Sequence, residues 1–525
     1  MQRQSLHRFI NPAIIVLLAL VCYIFFFQGL GSVGLLGPDE PRYAAIAREM
    51  YQSGDYVTPR LDGVRWFEKP PLAYWGSAVG FALFGINEFG ARFASALAGT
   101  ICIFFAYFAA SRLWGRWTGA WSALILASSI GFFAFSRAAS TDMPLTACLT
   151  LALLSFILGR LEKGSARRWW FYSFYFFLGL GVVAKGPIAW ALPAMALFGF
   201  SASRGGFREW RQWHPEGILI SLGVALPWYV AVGFENGQEF IQTFLIDHNL
   251  QRFTTTVHGH ERPFYFYGPS LLMLTFPWTF LLIPRLRRAL EHTDWILLWW
   301  ALVPVVFFSF SGSKLPGYIL PAVPAIALLC AKAIVPESSR SFRVGVFIES
   351  GTMLFIGVAL GFFGHLLDVD PHVNGYLIAA VTFSLAALLV VVALWLKPPL
   401  LAALNLAALT AIVVIATNFI LPRFDVMDTM RPWNHALEGI VSDGQTVYLY
   451  KPPRWSFYGM QYYRNNRIHA IDSPEELLKL TEKSPGLFLI TDDRTLSELG
   501  QLTELKLEIV RTLGRHTGLW ARRAY

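Results

Sequence analysis

Apolar runs close to membrane length recur along the 525-residue chain, and nothing else in the sequence restricts the fold so strongly. A bilayer core about 30 Å thick takes about 20 residues of helix to cross. In lipid every backbone polar group must be satisfied inside the protein, which leaves only helices and closed barrels. The runs are long and do not alternate apolar with polar residues, which excludes a barrel. Composition points the same way: 55% of the residues are hydrophobic and 15% charged, and the mean hydropathy is +0.47. A soluble chain carries more charge. The expected fold is an all-α polytopic membrane protein.

Apolar windows and their breaks place about thirteen spans. They lie at 9–30, 87–111, 117–135, 143–159, 169–184, 186–203, 216–234, 265–284, 294–312, 318–335, 343–364, 374–396 and 399–420. The segment from Leu72 to Phe84 is short for a span and is assigned to the interface. The first run follows Arg3 and Arg8 and lacks a small-residue cleavage site, so it reads as a retained anchor. With the N-terminus in the cytoplasm, every internal loop is basic, as the positive-inside bias requires. The loops 31–86 and 235–264 and everything after 420 are then external. The net charge of +9 is explained by this topology and does not call for nucleic acid. The four cysteines (Cys22, Cys102, Cys148, Cys330) sit inside apolar runs, without disulfide or metal spacing.

The first external loop breaks the apolar monotony. Residues 37–71 read GPDEPRYAAIAREMYQSGDYVTPRLDGVRWFEKPP, dense in both charge signs and bounded by prolines. A helix is expected from about Glu40 to Gln52, with Tyr43, Ile46, Ala47 and Met50 on one face. Asp39 either caps that helix or carries chemistry, and the two are compatible because a helix N-terminus also attracts anions.

Five cations lie on the face that normally avoids them, each near the end of an apolar run: Lys69, Lys185, Arg252, Arg262 and Lys314. Singly, each reads as a side chain snorkelling to lipid headgroups. Together they point to an anionic ligand, a phosphate, at this membrane face. The 235–264 loop adds Asp247, His248, His258, His260 and Glu261. His-x-His at 258 and 260 is a weak metal signal that polar residues of a surface loop would also give, and an amphipathic stretch with Phe240, Phe244 and Leu245 is suited to the bilayer surface. The loop SGSKLPGYILP (311–321) is broken by Gly and Pro and presents Lys314 and Tyr318. HLLDVDPH (365–372) looks metal-like, with His365, Asp368, Asp370 and His372, but a solvated loop is the favoured reading.

Past Pro422 the composition changes. Strands are expected at 445–450, 467–471, 486–491 and 506–513. A helix is expected at 473–484, with Ser473 as N-cap, Pro474 at N1 and Glu476 at N3. Alternating strands and helices make residues 421–525 a small external α/β domain behind a membrane domain of residues 1–420.

The motifs GPDEPRYAAIAREM, WFEKPPL, AKGP (184–187), DHNLQRF (247–253), HERPFYFY (260–267) and SKLPGYILP (313–321) run in order through most of residues 1–420. This pattern resembles glycosyltransferase family 39, integral-membrane enzymes of the GT-C fold, and in particular the bacterial lipid A 4-amino-4-deoxy-L-arabinose transferases. The resemblance implies an inverting transfer from an undecaprenyl-phosphate-linked sugar to lipid A or another envelope acceptor, at the periplasmic face of the bacterial inner membrane. It implies that Asp39, with Glu40 beside it, is catalytic. Lys69, Lys185, Arg252 and Arg42 would hold the donor phosphate, and Tyr43, Tyr318 and Lys314 would line the cavity. Glu68 matches a carboxylate that binds a divalent metal (Zn, Mg or Mn), with Asp247, His248 or His260 as second ligand. The sequence has Asp-His-Asn at 247–249 where those transferases more often have His-Glu-His. Rival readings are a transferase of the same fold acting on a protein hydroxyl or another glycan, and a secondary transporter. Transporters usually show paired halves with broken midplane helices, and no such pairing is visible here.

Overall fold

The computed structural model describes residues 11–205, 213–244, 262–286, 289–334, 398–415 and 421–524, except 443, 444 and 485, with scattered positions between 344 and 388 and at 417 and 418. The first apolar run forms α1 (Pro12–Cys22) and continues as one π-helical turn, Tyr23–Phe27. The charged loop forms α2 (Asp39–Ser53), a short hairpin of β1 (Arg60–Leu61) and β2 (Val64–Arg65), and the short apolar helix α3 (Leu72–Phe84). Then follow α4 (Glu88–Trp114), α5 (Arg116–Ser128), α6 (Ile130–Ser136), α7 (Asp142–Leu161), α8 (Gly164–Lys185), α9 (Ile188–Phe200) and α10 (Ile218–Phe240). Next come α11 (Tyr267–Thr275), α12 (Leu282–Leu286), α13 (His292–Ser309), α14 (Val323–Ile334) and α15 (Pro398–Ile415).

Among the described residues, five helical segments are long and apolar enough to cross a membrane: Glu88–Trp114, Asp142–Leu161, Pro215–Phe244, His292–Ser309 and Pro316–Ile334. A sixth is added if α5 and α6, bent by 66°, make one span. The expected run 117–135 is thus broken, at Ser129, where Ile130 N donates to the carbonyl of Phe276 instead of to its own helix. The run 265–284 is likewise interrupted, between α11 and a 3-10 turn at Trp278–Leu281. The runs 343–364 and 374–396 and the loop 365–372 fall largely or wholly outside the described residues.

The bundle packs around α7, which is buried on nearly every side. A helix so enclosed has no water for its hydroxyls, and Thr150 Oγ1 accordingly donates back to the Thr146 carbonyl at 2.7 Å. Small residues set the closest crossings. A Cβ on Gly80 would lie 2.0 Å from the carbonyl oxygen of Gly90, so α3 and α4 meet backbone to backbone.

Beyond the bundle, α16 (Leu421–Asp428) and α17 (Arg431–Leu437) lead into β3 (Val447–Tyr450), α18 (Arg454–Tyr463), β4 (Ile468–Ile471), α19 (Pro474–Lys483), β5 (Leu487–Asp492), α20 (Asp493–Leu499), β6 (Leu505–Leu513) and β7 (His516–Arg523). The strands form one sheet in the order β4-β3-β5-β7-β6. β3 is parallel to both β4 and β5, while β7 runs antiparallel to β5 and β6. Ser473 caps α19 as expected, its hydroxyl accepting from Glu476 N at 3.2 Å. β7 and the helix α18 were not expected from the sequence. α18 carries this part of the chain onto the first loop and the start of α4: Arg48 of α2 donates to the Tyr462 carbonyl, and Tyr463 Oη donates to Glu88 of α4 at 2.9 Å.

Candidate functional site at the start of the first loop helix

Pro38 precedes α2 and offers no side-chain cap, so Asp39 is the first helical residue and not the cap expected. Its carboxylate is free to turn along the helix, and it accepts from Arg42 Nη2 at 2.6 Å, one turn on. The Asp39 side chain is 49% exposed whereas that of Arg42 is 4% exposed. Arg42 reaches Glu68 Oε2 at 3.2 Å, and Glu68 Oε1 lies 3.8 Å from Lys69 Nζ. Asp39 is therefore the half-exposed end of a buried series of alternating charges. Burial opposes the charge on Arg42, but Glu68, Tyr43 and Asp39 more than offset it and hold its pKa above the ordinary guanidinium value. The phenol of buried Tyr43 is pushed well above its usual range, first by burial and then by Asp39 and Glu68. The Arg42 guanidinium carbon lies 5.2 Å from the ring centre of Tyr43, 5.7 Å from that of Trp66 and 5.4 Å from that of Tyr458.

A second group forms where α7 begins and α8 ends. Lys185 Nζ donates to Asp142 Oδ1 and sits 4.9 Å from the ring centre of Tyr318. Gly317 lets the 311–321 loop come close, since a Cβ there would lie 2.5 Å from Asp142 Oδ2. Asp142 is a site candidate that the sequence reading missed. Its only signal was an isolated carboxylate between two apolar runs.

Glu40 links the two groups and differs from the expectation. One oxygen accepts from Arg92 Nε at 3.0 Å and Ala139 N at 2.7 Å, the other from Arg92 Nη2 and Leu36 N, both at 2.7 Å. Arg92 also donates to the carbonyls of Leu30, Val33 and Gly34. With four donors on a buried carboxylate, Glu40 holds the 34–40 turn and the α6–α7 turn together. Lys314, expected to line the cavity, is buried and folds back to donate to the Ser311 carbonyl at 2.6 Å. Phe240 and Phe244 are buried too, and not spread on a bilayer surface. Phe240 packs edge-on against Phe67 at 5.4 Å and thereby ties α10 to the first loop.

Arg252, Asp247, His248, His258 and His260 lie outside the described residues, as does Leu245. Among the described residues no group of three or more His, Cys, Asp or Glu side chains could hold a metal. Glu68 lies against Arg42 and Lys69, the surroundings of an ion-paired carboxylate. The described residues alone do not build a metal site.

The chain matches the family model described as dolichyl-phosphate-mannose-protein mannosyltransferase over residues 13–237. It is 33% identical over 364 residues to an undecaprenyl phosphate-alpha-4-amino-4-deoxy-L-arabinose arabinosyl transferase of Pseudomonas fluorescens, covering 68% of this chain and 61% of that protein. It is 32% identical to the transferase of the same description from Pseudomonas savastanoi pv. phaseolicola, covering 67% of each. The chain thus spans somewhat under two thirds of the Pseudomonas fluorescens relative. In fold it is similar to ArnT from Cupriavidus metallidurans, solved bound to undecaprenyl phosphate, with a TM-score of 0.80, 24% identity, and 97% and 98% of the two chains covered. The chain is a multi-pass membrane protein of GT-C architecture and belongs to glycosyltransferase family 39, among relatives described as undecaprenyl phosphate-aminoarabinose arabinosyl transferases.

Proposed function

We propose that this protein is an inverting membrane glycosyltransferase that moves 4-amino-4-deoxy-L-arabinose from undecaprenyl phosphate to lipid A. The observation that carries the reading is the half-exposed Asp39 carboxylate, fixed by buried Arg42 beside Glu68 and Lys69. The acceptor oxygen attacks the anomeric carbon from the face opposite the phosphate. The bond from that carbon to the phosphate oxygen breaks, and undecaprenyl phosphate leaves with the electron pair. Lys69, Lys185 and Arg252 stabilise the charge that gathers on the leaving phosphate in a partly dehydrated cavity, and Tyr318 lines that cavity against Lys185. An acceptor phosphate is already an anion, so Asp39 then orients it or balances positive charge developing on the sugar. A hydroxyl acceptor instead needs Asp39 as general base. Glu68 would be the described ligand of a divalent metal completed by Asp247, His248 or His260, which would add positive charge at the phosphate.

The reading includes thirteen spans in the bacterial inner membrane, a cytoplasmic N-terminus, periplasmic loops at 31–86 and 235–264, and a division between a membrane domain of residues 1–420 and a periplasmic domain of residues 421–525. The product carries less negative charge and binds cationic antimicrobial peptides less well. A protein hydroxyl is the second acceptor to consider, because the matching family model is described by protein mannosyl transfer. Mass spectrometry of lipid A, from cells able to make the donor, tests the proposal. A pentosamine-sized increment should require this chain and vanish with Asp39→Asn. Unmodified lipid A beside correctly inserted protein would rule out lipid A as acceptor.

A further inference from the structure

The far end of the chain reaches into the site. Tyr458 of α18, more than four hundred residues from α2, places its ring 5.4 Å from the Arg42 guanidinium carbon. Arg42 is only partly fixed by hydrogen bonds: its Nε is buried with no hydrogen-bond partner among the described residues. Its two carboxylate contacts, to Asp39 and Glu68, leave the plane of the guanidinium to the three rings around it. Two of these, Tyr43 and Trp66, come from the first loop, and the third closes the set from α18. A cation over an aromatic face is held more firmly as it is withdrawn from water; Arg42 is buried and Tyr458 half-buried. α18 is itself fixed in place. Leu35 N donates to Tyr463 Oη at 3.0 Å, Asn466 Nδ2 donates to Glu49 Oε1 at 2.9 Å, and the Arg48 guanidinium lies 5.4 Å from the Tyr462 ring centre.

We infer that Tyr458 is a positioning residue of the transferase site: its ring sets Arg42, and Arg42 sets Asp39. The segment after residue 421 is then a working part of the site and not an appended module. The inference rests on the function proposed above for Asp39, and it identifies the element that holds Asp39 in place.

The test uses the full chain in lipid nanodiscs, as wild type, Tyr458→Phe, Tyr458→Leu, Arg42→Lys and the Tyr458→Leu/Arg42→Lys double variant. Phe keeps the ring and should transfer sugar within about twofold of wild type. Leu should lower kcat about tenfold or more, with a much smaller change in KM and an unchanged melting midpoint. Lys offers no flat guanidinium to stack, so Tyr458→Leu should add little to Arg42→Lys, the non-additivity expected of residues acting in series. Carbodiimide labelling of Asp39, read by peptide mass spectrometry, follows the same geometry without any substrate and should speed up several-fold in Tyr458→Leu but not in Tyr458→Phe. Unchanged labelling and kcat in Tyr458→Leu, or a full multiplicative loss on top of Arg42→Lys, would overturn the inference. A wild type that modifies no lipid A would overturn the acceptor assignment instead, and the labelling would still decide the role of Tyr458.

Discussion

Arg92 grips Glu40 with two nitrogens, Nε at 3.0 Å and Nη2 at 2.7 Å, in a pair whose side chains are 5% and 9% exposed. The neighbouring carboxylate, Asp39, is half open to solvent. Two adjacent acids in one helical turn therefore differ in setting, one buried and holding the loop, the other half open to solvent.

That division is measurable. Breaking a buried, fully hydrogen-bonded pair costs on the order of 3 kcal/mol, so Glu40→Gln should lower the melting midpoint in detergent clearly. Asp39→Asn should leave the midpoint nearly unchanged and reduce transfer by about a hundredfold or more. Loss of transfer in stable Glu40→Gln protein would return Glu40 to the chemistry.

Gly317 gives a steric test of the second group. A methyl there would meet Asp142 Oδ2 at 2.5 Å and Phe135 Cε1 at 2.9 Å. Overpacking of this kind costs about 1–3 kcal/mol, and it presses on the carboxylate that Lys185 holds. Gly317→Ala should lower kcat about tenfold or more in a transfer assay. Gly233→Ala on α10, where a Cβ meets nothing within 4 Å, is the matched control and should be silent. Equal activity of the two variants would remove the Asp142–Lys185 pair from the mechanism.

Lys69 is 11% exposed beside Glu68. As a donor-phosphate contact it contributes about 1.5–3 kcal/mol, the worth of a hydrogen bond to a charged group. Lys69→Ala should therefore weaken inhibition by added undecaprenyl phosphate about tenfold to a hundredfold. An unchanged inhibition constant would place the phosphate elsewhere.

His516 predicts a pH response of the C-terminal sheet. It is 3% exposed and its ring centre is 5.1 Å from that of Trp455. Burial lowers its pKa from 6.5 to about 4, against the opposing pull of Asp492. Between those values the unfolded chain binds a proton that the folded chain refuses. The stabilisation is thus complete above about pH 6.5 and is lost as pH falls toward 4, by on the order of 3 kcal/mol. Hydrogen-exchange protection factors across residues 516–523 at pH 7 and pH 4.5 should show the loss, and His516→Phe should flatten it.

The sequence alone determined what the membrane imposes along one dimension. Apolar length marks membrane-length helices, and a dense ionic loop such as 37–71 stands out because lipid tolerates none of it. α3, α4 and α7 to α9 appear close to where the windows put them, and the capping pattern Ser473-Pro474-x-Glu476 fixed α19 from local chemistry. The motifs around Asp39, Lys69 and Lys185 stood out for the same reason, as polar residues with few structural excuses beside apolar runs, and the structure sets each of them in a charged cluster.

Only the tertiary structure decided which charge meets which. Glu40 is claimed by Arg92, fifty-two positions away, and Lys185 by Asp142, forty-three positions away. Lys314 turns back on its own loop, and Arg42 receives a ring from α18. A local sequence pattern records periodicity and capping, which act within a few residues. An ion pair or a stacked ring depends on how helices cross in three dimensions, and no spacing in the chain encodes that distance.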